Sequence, residues 1–519
     1  MGYQIAIGNF FGGIAGGIST DLIGIAGERG FGVGVASTLS IGMTALAGTT
    51  DTASDEYGNY QFEDGSIMVY VPKFFYKVGT GLNGFAVNVI DVKGGDTYAS
   101  TAAANAEGYA LHRAFIDGGA EKSGFFFDKY QASKRAKGTG FVASSIKNAA
   151  PISTAADHNP IAALTAVTAN VYYAAIDAAH ARDGVNGAIN ASSIFHLGSM
   201  YQYSVLSLLS LAHGQAATST ANCAWYDEAG ITNFPKGNNN NALKDANDAT
   251  VVYTTDGYSQ SGLTGSATNF SRTTHNGMAS GVTDLNGNLW ELGLGMTAIA
   301  AGKTITGATQ ANPCVVTVTA HGYTTGTKVQ VESVGGMTQI NNIIHTITVV
   351  DANSFSLDGV NATAYTAYTT GGAATTGTFY AAKQATAMKS FTSGNTSSTD
   401  NWGSTGVAAM MDAVTMPLGG PFAYKLGTGA NQVFGAATGG GDWVRTGLGL
   451  PKDSTGISSA GTNLFGTDYY YQYVRNELFP VLGGHWSYGS TAGVFARYWS
   501  VYRASSSSFV GFRCSTYGD

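Results

Sequence analysis

Gly483-Gly484-His485-Trp486-Ser487-Tyr488-Gly489-Ser490-Thr491-Ala492-Gly493-Val494-Phe495-Ala496-Arg497-Tyr498-Trp499-Ser500-Val501-Tyr502-Arg503-Ala504-Ser505-Ser506-Ser507-Ser508-Phe509-Val510-Gly511-Phe512-Arg513-Cys514 is the most informative stretch of the chain. Its aromatic residues are Trp486, Tyr488, Phe495, Tyr498, Trp499, Tyr502 and Phe509, and seven serines stand among them. Arg497 and Arg503 are the only formal charges between His485 and Val510. Tyr and Trp supply contact area at small rotamer cost, and Ser and Gly supply adaptable hydrogen bonds. Arg joins Trp and Tyr among the residues enriched in binding hot spots. On composition this is a recognition surface, with Arg497, Trp499 and Arg503 as contacts beside the tyrosines. The alternative is a β-rich core tail with solvated serines, but the irregular aromatic spacing does not fit a period-2 strand.

Upstream, Gly65 to Tyr76 is β-branched and aromatic and reads as strand, as do Ala114-Phe115-Ile116 and Gly124 to Tyr130. Asn170 to Arg182 and Ser199 to His213 read as helices, the second with Val205, Leu208, Leu209 and Ala212 at helical spacing and Gly214 as its stop. Residues 214–280 are rich in Asn, Thr, Gly and Ser and read as irregular surface. Between small-residue flanks, Val315 to Thr319, Lys328 to Glu332, Thr346 to Val350 and Ser354 to Leu357 predict a small all-β unit at 300–376, inserted into a larger domain. That divides the chain into a Gly-rich docking or oligomerisation segment at 1–29, a first part at 30–299, the insert, and a second part at 377–519.

The 519 residues are 44% hydrophobic and only 11% charged, with 72 Gly, 28 Tyr and 25 Phe. That much aromatic content excludes a disordered chain, and a net charge of −7 without a basic stripe excludes a nucleic-acid groove. Met1 to Thr20 lacks the basic start of a signal peptide, and its glycines interrupt any spanning helix, so no membrane insertion is expected. Cys223, Cys314 and Cys514 lie far apart and read as buried thiols. Motifs for chemistry fail one by one. Gly79-Thr80-Gly81-Leu82-Asn83-Gly84 leads into a strand-like run rather than a helix. Gly489-Ser490-Thr491-Ala492-Gly493 puts Thr where a nucleophile elbow needs Ser, and no HExxH occurs.

The quoted stretch resembles the C-terminal variable region of retroelement-diversified proteins, the major tropism determinant family of phages. Val69 to Tyr76, Phe126 to Ser133 and Gly281 to Glu291 resemble earlier landmarks of the same fold. The resemblance implies an α+β chain: a C-type-lectin-like fold of the formylglycine-generating-enzyme subclass, carrying the inserted β-domain. The insert, through Ile305 to Pro313, His321-Gly322-Tyr323 and Phe355 to Val360, is similar to a small β-domain of phage tail proteins, which implies a spacer or accessory module.

By the same resemblance, Gly483, Gly484, Trp486, Gly489, Gly493, Phe495, Gly511, Phe512 and Arg513 are scaffold. His485, Ser487, Tyr488, Thr491, Ala496, Tyr498, Ser500, Val501, Tyr502, Ala504, Ser506, Ser508 and Phe509 are displayed receptor-binding positions, each reachable from an Asn codon by adenine substitution. Asn288 and Glu291 are implied calcium ligands, with a buried, hydrogen-bonded turn as the alternative; no other cofactor is expected. The expected function is that of a non-enzymatic receptor-binding protein of a phage tail tip or fibre, located in the virion. Its partners would be a host-cell surface sugar or protein, other tail proteins and two further copies of itself in a homotrimer. A structural tail component and a surface-polysaccharide depolymerase are the competing functions.

Overall fold

A computed structural model describes residues 20–227, 233–393, 409–426, 431–435, 440–458 and 464–518. Most of the expected docking segment, residues 1–19, lies outside the described residues. Its described end is not a separate tail: Ile23 is buried in the main core, and its carbonyl accepts the Gly32 N–H at 2.9 Å. The described chain mixes α and β, mostly sheet with few helices.

Six antiparallel strands form the first sheet in the order Met43–Ala45, Asn59–Phe62, Ile67–Pro72, Gly124–Asp128, Cys514–Tyr517, Phe195–Leu197. Ile67–Pro72 and Gly124–Asp128 are the aromatic runs expected as strands, and they are buried on both faces, which explains their lack of alternation. Of Ala114-Phe115-Ile116, Ile116 opens the short strand Ile116–Asp117, but Ala114 and Phe115 differ from expectation. Arg113–Phe115 is a 3-10 turn capped by His112, with the Arg113 guanidinium donating to the Lys383 carbonyl at 2.6 Å. A three-residue apolar run fits either conformation, and here the cap and the long-range bond decide.

Helix Tyr172–His180 and helix Met200–Ala216 pack beside this sheet. The longer one opens on a capping box: the Ser199 hydroxyl accepts the Gln202 N–H, and the Gln202 side chain accepts the Ser199 N–H. It continues through Gly214, the expected stop, to Ala216. Burial of nearly every side chain outweighs the roughly 1 kcal/mol cost of one helical glycine.

A second, seven-stranded sheet carries the quoted stretch. Its order is Ile457–Ser458, Ala423–Leu426, Tyr469–Tyr471, Arg497–Tyr498, Val481–Leu482, Trp290–Leu292, Val510–Gly511. Between the helices and this sheet, the described residues 217–227 and 233–289 are held mainly by side-chain hydrogen bonds rather than by strands. Asp284 is one such centre, accepting from the Tyr253 hydroxyl (2.9 Å), the Thr264 hydroxyl (2.6 Å) and the Gly265 N–H (2.9 Å).

Met296–Thr304 and Ala373–Ala382 pair antiparallel and lead out of the body into the insert. The insert has its own core, including Val316, Val329, Val331, Met337, Phe355 and Leu357. It is not a free spacer, however. Ile344 is buried in the main core, and Ile343 and Ile344 pair with Pro421 and Gly420. The three cysteines are unpaired and buried. Among the described residues no helix is long and apolar enough to cross a membrane.

Candidate functional site

The scaffold of the site is a buried ion pair. Arg513 donates to both carboxylate oxygens of Glu291, at 2.7 and 2.8 Å, and to the carbonyls of Thr283 (2.6 Å) and Lys129 (2.8 Å). Glu291 also accepts from Gln131 Nε2 at 3.0 Å and from the Tyr203 hydroxyl. Nearby, Arg182 pairs with Asp128, whose Oδ2 also accepts the Cys514 N–H at 2.8 Å. These bonds fix the strands on either side of the quoted stretch. Glycine lets the chain pass where a side chain would collide. A Cβ on Gly484, at φ +96°, would lie 2.4 Å from the Ala492 Cβ. One on Gly493 would lie 2.0 Å from Asp468 Oδ1.

On this scaffold the stretch folds into a pocket of about 340 Å³. Trp290 forms one wall. Tyr498 lies nearly parallel to it at 5.7 Å between ring centroids, and Tyr488 meets it edge-on at 4.9 Å. His485 stacks on Phe509 at 4.3 Å, and burial pulls its imidazole down to about 4, so the ring is neutral near pH 7. Ser500, Ser505, Ser506 and Ser507 complete the lining with Phe479, Val481, Val501 and Val510, and no carboxylate is among them. The segment that carries the serines is tied down by Thr154. Its hydroxyl donates to the Ser507 carbonyl at 3.1 Å and accepts the Ser507 N–H at 2.9 Å, and its carbonyl accepts the Ser506 hydroxyl.

The structure divides the expected contact residues into groups. His485, Tyr488, Tyr498, Ser500, Val501, Ser506 and Phe509 line the pocket. Ser487 and Ala504 are exposed, and Thr491 and Ser508 are half-buried beside it. Tyr502, 43% exposed, and Phe509, 37% exposed, are the most open of the large side chains. Ala496, Arg497, Trp499 and Arg503 are buried and are not displayed. The cause is local alternation, which returns residues 497 and 499 to the core while 498 and 500 face the pocket. Arg497 donates inward to the Val494 carbonyl at 2.8 Å, and Arg503 lies 3.4 Å from the Thr297 hydroxyl. Composition could not separate these residues from their neighbours. It also missed Trp290, Phe479, Val481, Ser505, Ser507 and Val510; of these, only the serines carried a signal, as part of the run.

Asn288 and Glu291 do not fit a calcium site. Asn288 Oδ1 accepts from the Gly262 N–H (2.8 Å) and Asn238 Nδ2 (3.0 Å), and its Nδ2 donates to Gln131 (2.9 Å). Both oxygens of Glu291 face Arg513. A cation there would have to displace a guanidinium and several hydrogen bonds, so the two residues serve as structural ties.

Residues 311–377 match the family model of the ubiquitin-activating enzyme E1 FCCH domain. The match lies within the insert and its outgoing strand, and it leaves the pocket outside. Comparison with curated proteins gives no match.

Proposed function

We propose that this chain is a receptor-binding protein of a phage tail, and that it recognises a host-cell surface molecule through the pocket and its exposed rim. In this reading the body is a C-type-lectin-like scaffold of the formylglycine-generating-enzyme subclass, the protein resides in the virion, and three copies act together to raise avidity. The observation that carries the reading is the pocket itself. A single contiguous stretch supplies most of an aromatic, serine-rich lining, while hydrogen-bonded and ion-paired strands on either side hold it. That division between a fixed frame and a concave, uncharged lining suits binding without chemistry. Phe509 and Tyr502 at the rim are large apolar groups left open to a partner.

The test is binding of the purified, labelled protein to a panel of bacterial strains. A variant with Tyr488, Tyr498, Tyr502 and Phe509 changed to Ala is run beside it after its melting curve shows that it folds. The proposal expects the parent to bind some strains and the variant none. Equal binding by both would move recognition elsewhere, and binding to no strain would favour a structural tail component.

A further inference from the structure

A second aromatic feature adjoins the pocket. Along Asp468-Tyr469-Tyr470-Tyr471-Gln472-Tyr473-Val474-Arg475, the odd-numbered residues are partly exposed and the even-numbered ones buried, the alternation of a strand with one open face. Tyr469, Tyr471 and Tyr473 therefore stand in a row. Ring centroids are 6.5 Å apart for the first pair and 5.5 Å for the second, which is stacked. The row runs into the pocket wall: Tyr471 lies 4.7 Å from Tyr498, and Tyr469 lies 6.4 Å from Tyr488.

The row is rigid. Gln472 donates to the carbonyls of Gly419 (2.7 Å) and Pro421 (2.8 Å). Gln330 of the insert grips the backbone of Val474 in both directions, accepting its N–H at 2.7 Å and donating to its carbonyl at 3.2 Å. Tyr473 packs on Phe422 at 4.1 Å, and the Arg475 guanidinium lies over its ring at 5.5 Å, ending the row.

We propose that the pocket and this row together bind a neutral saccharide chain, one sugar seated in the pocket and the next ones laid across the tyrosines. This rests on the recognition reading above and names its ligand class. Three features point to it. The pocket lining carries no formal charge, which suits a ligand without one. Partly exposed aromatic rings beside serine hydroxyls match a pyranose, which offers apolar C–H groups and a rim of hydroxyl groups that both donate and accept. A row of like rings at similar steps matches a ligand that repeats, whereas a folded protein surface does not repeat.

The probes are mannan, dextran, galactan and an N-acetylglucosamine polymer, each also as mono- to hexasaccharides, together with a bound strain treated with periodate or with protease. The expected result is binding of at least one neutral series, tightening with chain length, and loss of cell binding after periodate but not after protease. Tyr471→Ala and Tyr473→Ala should each lose about tenfold in affinity for the hexasaccharide. Tyr473→Ala, which touches no lining residue, should leave the monosaccharide unchanged, while Tyr471→Phe, which keeps the ring against Tyr498, should bind like the parent. Cells that bind equally well after periodate and lose binding after protease would overturn the saccharide proposal and leave receptor binding standing. Hexasaccharide affinity unchanged in both Ala variants would overturn the role of the row. Binding to no strain and no saccharide would overturn both proposals.

Discussion

At the scale of single residues, the ion pair of Arg513 with Glu291 carries the clearest energetic consequence. Removing one partner of a buried pair leaves an uncompensated charge and costs about 3–5 kcal/mol. Glu291→Leu is therefore predicted to lower the unfolding free energy measured by urea titration by that amount, and added calcium should not restore it. A pH effect belongs to His485. Burial holds its folded-state value near 4, against 6.5 for the free side chain. Between those values the unfolded chain binds more protons, so this contribution to stability is complete above about pH 6.5 and is lost as pH falls toward 4. His485→Phe keeps a ring against Phe509 and removes the titration. Melting curves over that pH range should show a smaller drop for the variant than for the parent, and identical slopes would refute the assignment.

Among elements, the serine-bearing segment depends on Thr154. Thr154→Val deletes the two hydrogen bonds of its hydroxyl with Ser507, each worth about 1 kcal/mol. Faster amide exchange at Ser507 and weaker cell binding are expected, with the helix content by circular dichroism unchanged. Ser199→Ala, which removes half of the capping box, is predicted to cost about 1 kcal/mol in chemical denaturation and nothing in binding. Both helices were legible in the sequence, because long apolar runs and an N-cap serine carry local signals; Gly65 to Tyr76 was legible as strand, but not its break at Lys73 into Ile67–Pro72 and Phe74–Val78, which belong to different sheets. The 3-10 turn at Arg113–Phe115 was not, since Lys383 fixes it from far along the chain. The aromatic, serine-rich character of the stretch that lines the pocket was legible as a composition. Which of its residues face inward was not, because Arg497 and Trp499 differ from Tyr498 in orientation and not in type. Tyr469, Tyr471 and Tyr473 alternate with Tyr470 and Gln472, the period-2 signal of a strand with one open face.

For the whole molecule, the insert is both separate and engaged. Thr304 pairs with Ala373 at the top of the connecting hairpin, so an Asn-Gly turn could close it in place of residues 305–372. The shortened protein is expected to fold through its remaining core. It should melt at a lower temperature, having lost Ile344 from that core, and bind the hexasaccharide more weakly, having lost the Gln330 grip on Val474. An unchanged melting point would show that the insert lends the body no stability. The position of strand Cys514–Tyr517, between Gly124–Asp128 and Phe195–Leu197, has a further consequence. During synthesis the middle of the first sheet stays open until the ribosome has passed the pocket-lining stretch. A frameshift or early stop anywhere in that stretch removes the keystone strand and leaves the facing edges of Gly124–Asp128 and Phe195–Leu197 unpaired, the kind of edge that templates aggregation. A substitution at a pocket-lining position such as Ser500 leaves the keystone strand in place, so the architecture checks the length of the stretch more strictly than the side chains it turns outward.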